Sequence, residues 1–178
     1  MAKIIQEGHK TLRLIAKKVP LKDIPSTEIQ TIIKKMKQAL RTQDDGVAIA
    51  APQINESVRI FVVSGKVFDE HFIRGDVVPA DYVTPHADMV FINPEFVNVS
   101  SKTTWMKEGC LSVRPLYGEV KRALRATVRA YDEHGKAFER GAGGLLAHIY
   151  QHEIDHLDGI LFIDKARDIH EGDSRKEF

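Results

Sequence analysis

The chain of 178 residues carries 26 basic and 25 acidic side chains, for a formal net charge of +1, and 43% of its residues are hydrophobic. This balance offers no broad field for nucleic acid or an anionic membrane, and no run approaches the roughly 18 apolar residues of a spanning helix. The single cysteine, Cys110, excludes an intrachain disulfide framework, and Met1 to Lys10 holds no signal-peptide core; the expectation is one domain over 1–178 in the cytoplasm.

The first predicted helix runs from Ser26 to Thr42. Ser26 is a fitting N-cap, Glu28 stands in the first turn, and Ile29, Ile32, Ile33, Met36 and Leu40 share one face. Asp44-Asp45-Gly46 ends it. Strand-like runs follow at Val58 to Val63, Met89 to Ile92, Phe96 to Val99 and Thr103 to Met106, with a long polar surface loop over 65–87. Ala126 to Tyr131 and Lys136 to Arg140 flank Asp132-Glu133-His134-Gly135 as a hairpin. Gly141-Ala142-Gly143-Gly144 breaks the chain before a second helix, Leu145 to Leu157, which Asp158-Gly159 stops; 165–178 reads as a short polar tail. Strands first and a late helix predict an α+β fold.

Gln151-His152-Glu153-Ile154-Asp155-His156 contains H-E-x-x-H. Four residues apart on a helix, the two imidazoles converge on one cation, and Glu153 lies close enough to reach a metal-bound water. Leu145, Ile149, His152 and His156 fall on one face, which aims the site inward. The same pattern also suits a polar helix face that happens to carry two histidines. A catalytic site needs a third protein ligand, and the long metalloprotease motif fails at Phe162, where its third histidine would stand. Cys110, in Glu108-Gly109-Cys110-Leu111-Ser112, is the better candidate, although a lone cysteine is more often inert filler.

Gly46-Val47-Ala48-Ile49-Ala50-Ala51-Pro52-Gln53, Glu108-Gly109-Cys110-Leu111-Ser112 and the H-E-x-x-H segment, in this order and spacing, resemble peptide deformylase. The resemblance implies antiparallel sheets packed around a central C-terminal helix that carries H-E-x-x-H. It implies hydrolysis of the formyl group from N-formylmethionyl nascent chains, with one divalent metal: Fe(II) in cells, or Zn, Ni or Co on the same ligands. Carried over, Cys110, His152 and His156 are the ligands, and Glu153 is the general acid/base as metal-bound hydroxide attacks. The Gln53 side chain and the Leu111 N–H form the oxyanion hole. Val47, Met106, Leu145, His148 and Ile149 surround the methionine side chain, with Ala48, Glu108 and Gly109 also on the substrate path. Asp155 and Glu108 are candidates to orient ligands, and Arg122 matches a position that pairs with an acidic residue near the site.

Four features depart from the family pattern. Ala48 replaces a usual second glycine, Arg114 replaces a usual proline, and His148 is more polar than the usual pocket residue. The 65–87 loop is an insertion relative to compact relatives. The short mixed-charge tail gives only weak grounds for contact with the ribosome exit region, where bacterial relatives use a basic helix. Two alternatives stand beside deformylation: a zinc peptidase, and a metal-binding relative that holds modified N-termini without turnover.

Overall fold

Ser26 accepts a hydrogen bond from the Ile29 N–H at 3.3 Å and starts α1 (Thr27–Arg41) in the computed structural model, which describes residues 2–74 and 82–173. The apolar stripe foreseen for this helix is buried, and it lies on β1 (Ala48–Ala50) and β2 (Ile60–Val63). After β2 come a 3-10 turn at Gly65–Phe68 and the five-residue α2 (Glu70–Arg74). Thus the described part of the 65–87 loop holds two short helical turns, and its 75–81 stretch lies outside the described residues.

The antiparallel meander continues with β3 (Met89–Val99), β4 (Thr103–Gly109), β5 (Leu116–Ala123), β6 (Arg125–Tyr131) and β7 (Ala137–Gly143). It then enters α3 (Gly144–Leu157) and ends with β8 (Arg167–Glu171). Five strands form one sheet in the order β1-β2-β3-β6-β7, and β4-β5-β8 form a second.

Burial on both faces explains the unbroken apolar run of β2. Ile60 and Val62 join the α1 core with Ile49, Val90 and Ile92; Phe61 and Val63 join the α3 core with Ala50, Phe91, Tyr150 and Leu157. In this way α3 is enclosed between the large sheet and β5, as the resemblance implied.

Several boundaries differ from expectation. The two runs at 89–92 and 96–99 are one strand with a register shift at Asn93, which has φ 52°. The Asn93 side chain pairs with both the N–H and the C=O of Val19 at 2.8 Å, which holds the irregularity in place. Gly141 and Gly143 are ladder residues opposite Thr127 and Arg125, so the glycine run extends the hairpin, and the helix begins at Gly144. The polar tail contains β8, an exposed strand paired to β5. Arg167 of that strand stacks over Trp105 at 3.8 Å and hydrogen-bonds Glu119.

Phe162, in the place of a protease's third histidine, is 1% exposed in a cluster with Leu12, Val113, Val120 and Leu161. Phe162→Ala is therefore expected to destabilise the fold by about 3–5 kcal/mol, read as a lower urea midpoint at unchanged denaturant slope.

Candidate metal centre

Two elements bring the three donors together. α3 projects His152 and His156 from successive turns, and their rings lie 5.0 Å apart. The segment leaving β4 delivers Cys110, whose Sγ is 3.1 Å from His156 Nε2. One ligand-type atom from each of Cys110, His152 and His156 falls within a set whose members are all within 4.8 Å of one another. The helix ends in a cap that depends on Gly159 at φ +74°; a Cβ there would stand 2.7 Å from the Arg13 carbonyl.

Gln53 sits on the 3-10 turn Ala51–Ile54 that follows β1. Its Oε1 accepts from the Ala50 N–H at 2.8 Å, so the amide nitrogen faces the site, 3.6 Å from Cys110 Sγ and 3.2 Å from Ser112 Oγ. The Ser112 N–H also donates toward Cys110 Sγ at 3.4 Å. Leu111 is held through its carbonyl, which accepts from Gln6 Nε2 at 3.0 Å.

Glu108, 2% exposed, is the charged hub behind the three donors. Arg122 grips it with Nε at 2.6 Å and Nη2 at 3.0 Å, His152 Nδ1 donates to Oε2 at 2.8 Å, and His148 Nε2 stands 2.7 Å from Oε1. Burial alone would raise the Glu108 pKa, but His148, His152 and Arg122 outweigh it and hold the carboxyl far below the usual range. Asp155 binds Arg122 and Lys165, so it orients the arginine rather than a ligand directly. Burial drives His156 well below the ordinary imidazole value and keeps it neutral, the form a metal requires. On His152 burial acts in the same direction, yet hydrogen bonds to Cys110 and Glu108 prevail and raise it.

Glu153 is 4% exposed, and its Oε2 is buried with no hydrogen-bond partner among the described residues. Burial pushes its pKa up to about 7. A thiol, two imidazoles and an unpaired buried carboxyl oxygen fit a divalent cation with a water beside it.

Cys110, His152 and Glu153 line a cavity of about 270 Å³. Val47, Ala48, Gln53, Glu108, Gly109, Leu111, Leu145, His148 and Ile149 are all on its wall. Met106 is not, and the wall there is made by Lys107 instead. Phe72, from α2, adds an aromatic edge that nothing in the polar loop sequence announced. Arg114 reaches the wall tied to Asp45 at 2.6 Å. His148 turns inward, where the buried Glu108 carboxylate offers it a partner. Gly109 also makes room for the Tyr117 ring: a Cβ there would come within 2.5 Å of it. Sequence reasoning also passed over Gln151, whose amide pairs with both backbone groups of Ala123 and pins α3 to the end of β5.

The fold and the donor set together place three residues that could hold a metal ion along a buried helix and the segment facing it. The family model for polypeptide deformylase matches residues 1–171, and the chain belongs to that family. A peptide deformylase of Thermomicrobium roseum is 38% identical over 168 residues, 93% of this chain and 85% of the relative. Among solved structures, a peptide deformylase from Legionella pneumophila is 36% identical, with a TM-score of 0.77 over 94% of this chain and 87% of that one. One from Acinetobacter baumannii with Met-Ala-Ser bound is 31% identical, with a TM-score of 0.76 over 93% and 99%.

Removing the cation that balances Glu108 strands a buried carboxylate. Arg122→Met is expected to cost about 3–5 kcal/mol, measured by denaturant titration against wild type at neutral pH. Because the folded Glu108 pKa is depressed below its ordinary value of 4.5, its contribution is complete above that pH and fades as the pH falls below it.

Proposed function

We propose that the chain hydrolyses the N-formyl group of N-terminal formylmethionine on nascent polypeptides and releases formate. The observation that carries this reading is the convergence of Cys110, His152 and His156 donors beside the unpaired buried oxygen of Glu153, at the end of a largely apolar cavity. Cys110, His152 and His156 would hold a divalent ion, which when bound would supply Lewis acidity and lower the pKa of a neighbouring water. Fe(II) is the assignment we favour in cells, and Zn, Ni or Co suit the same donors.

Glu153 accepts a proton from the attacking water and returns it to the departing amine; a carboxyl with a pKa near neutrality suits both transfers. Charge gathers on the formyl oxygen, where the Gln53 amide and the Leu111 N–H act as donors. Anchored by Ala50, Gln53 is already oriented before substrate arrives. The methionine side chain packs on Val47, Leu145 and Ile149, and the chain beyond it leaves past Phe72 and the Arg114–Asp45 pair. A relative that holds Met-Ala-Ser supports this polarity, since that tripeptide is the deformylated form of formyl-Met-Ala-Ser. A peptidase is disfavoured by Phe162 in the core. We place the reaction in the cytoplasm; no described helix is long and apolar enough to cross a membrane. Among the described residues after Asp164, Arg167–Glu171 form β8.

Protein purified without oxygen and loaded with Fe(II), Ni or Co is expected to release formate from formyl-Met-Ala-Ser; no turnover with any of the three, in metallated and folded protein, would refute the assignment. Glu153→Ala is expected to keep the metal and lose about 10²–10⁴ in kcat, measured with metal analysis of the same sample. Gln53→Ala should lower kcat by about 10²–10³ with little change in KM, and an unchanged kcat would remove Gln53 from the oxyanion site.

A further inference from the structure

We propose that His148 is a positioning residue, which links the wall of the substrate cavity to the metal ligand His152 through the Glu108 carboxylate. An ionised carboxylate has about four lone-pair sites, and here all are taken. Oε1 faces His148 Nε2 and Arg122 Nε, and Oε2 faces His152 Nδ1 and Arg122 Nη2. Each oxygen is thus pinned by two donors, and the carboxylate plane has one setting.

His148 and His152 stand one turn apart on α3, so the two imidazoles hold Glu108 like the jaws of a clamp. Without His148, Oε1 keeps a single donor and the carboxylate can tilt about the Arg122 fork. His152 Nδ1–H follows that tilt, and with it the nitrogen on the opposite side of the ring that faces the metal position. Partners that orient a ligating histidine in this way typically change metal affinity by about 10–100-fold. Because His148 is also 8% exposed on the cavity wall, a substrate side chain packed there presses on the same relay.

The proposal rests on the metal reading of Cys110, His152 and His156 and not on the reaction, so its test reads metal binding. Co(II) affinity of the full chain is measured by competition with a chromophoric chelator, alongside the thermal midpoint of the metal-free protein. His148→Phe keeps the wall but loses the donor. His148→Asn stays polar but is one bond too short. In His148→Gln the amide nitrogen is as many bonds from the backbone as Nε2 is in histidine. The expected result is Co(II) binding about tenfold or more weaker in the Phe and Asn variants, and restored in the Gln variant. Wild-type affinity in the Phe or Asn variant would overturn the proposal, even if the thermal midpoint fell, since that pattern belongs to a merely structural histidine. Equal losses in Gln and Asn would overturn it too. Wild-type protein that binds no Co(II) would remove the metal reading and the proposal with it, whereas absent formate release beside the expected affinities would refute the reaction alone.

Discussion

A carboxylate with almost no solvent contact needs compensation from charge and hydrogen bonds on every side, and around Glu108 that need organises three elements at once. β4 carries the acid, β5 opposite it carries Arg122, and α3 carries His148 and His152. If β4 and β5 slipped by one residue, Arg122 would move to the other face of the sheet and leave the charge unpaired. The ion pair therefore fixes a register, the register fixes where β4 ends, and Cys110 is delivered two residues after Glu108. Asp155 extends the network from the far side of Arg122 to Lys165, just before β8.

The helix that receives this network is held by ordinary packing. α3 gives Ala147, Tyr150, Ile154 and Leu157 to the large sheet and turns its histidines toward the small one. Apolar burial sets its depth, and the polar pairs set its rotation. The Gln151 clasp on Ala123 serves the second purpose, as it joins helix to strand through backbone groups that a rotated helix could not reach.

Much of this was readable in the sequence, and the reasons for the gaps are physical. α1 and α3 were found within a residue at each end because caps and apolar periodicity agree with their tertiary packing. Helical spacing paired His152 with His156 and left Cys110 a candidate beside inert filler; only the resemblance to peptide deformylase implied the three as one set. β8 was hidden because an edge strand with both faces exposed shows no apolar alternation in Arg167-Asp168-Ile169-His170-Glu171. β5 was missed because its inward positions include a charge, Arg122, whose partner is 14 residues away in sequence. Phe72 could not be placed on the cavity, since a five-residue helix carries no period from which a facing could be read.

The two histidines of the site are held by different means. His152 has a carboxylate at Nδ1, so a specific hydrogen bond fixes its ring and favours the tautomer whose far nitrogen is free for a metal. His156 is 1% exposed, and its Nδ1 has no partner among the described residues, so burial fixes its place and keeps it uncharged. A ring held by packing tolerates little change in its neighbours' volume, whereas one held by a hydrogen bond tolerates little change in their polarity. Apolar substitutions around His156 and polar ones around Glu108 thus perturb the same centre by separate routes, and His148, where the apolar cavity wall meets the polar network, is the residue exposed to both.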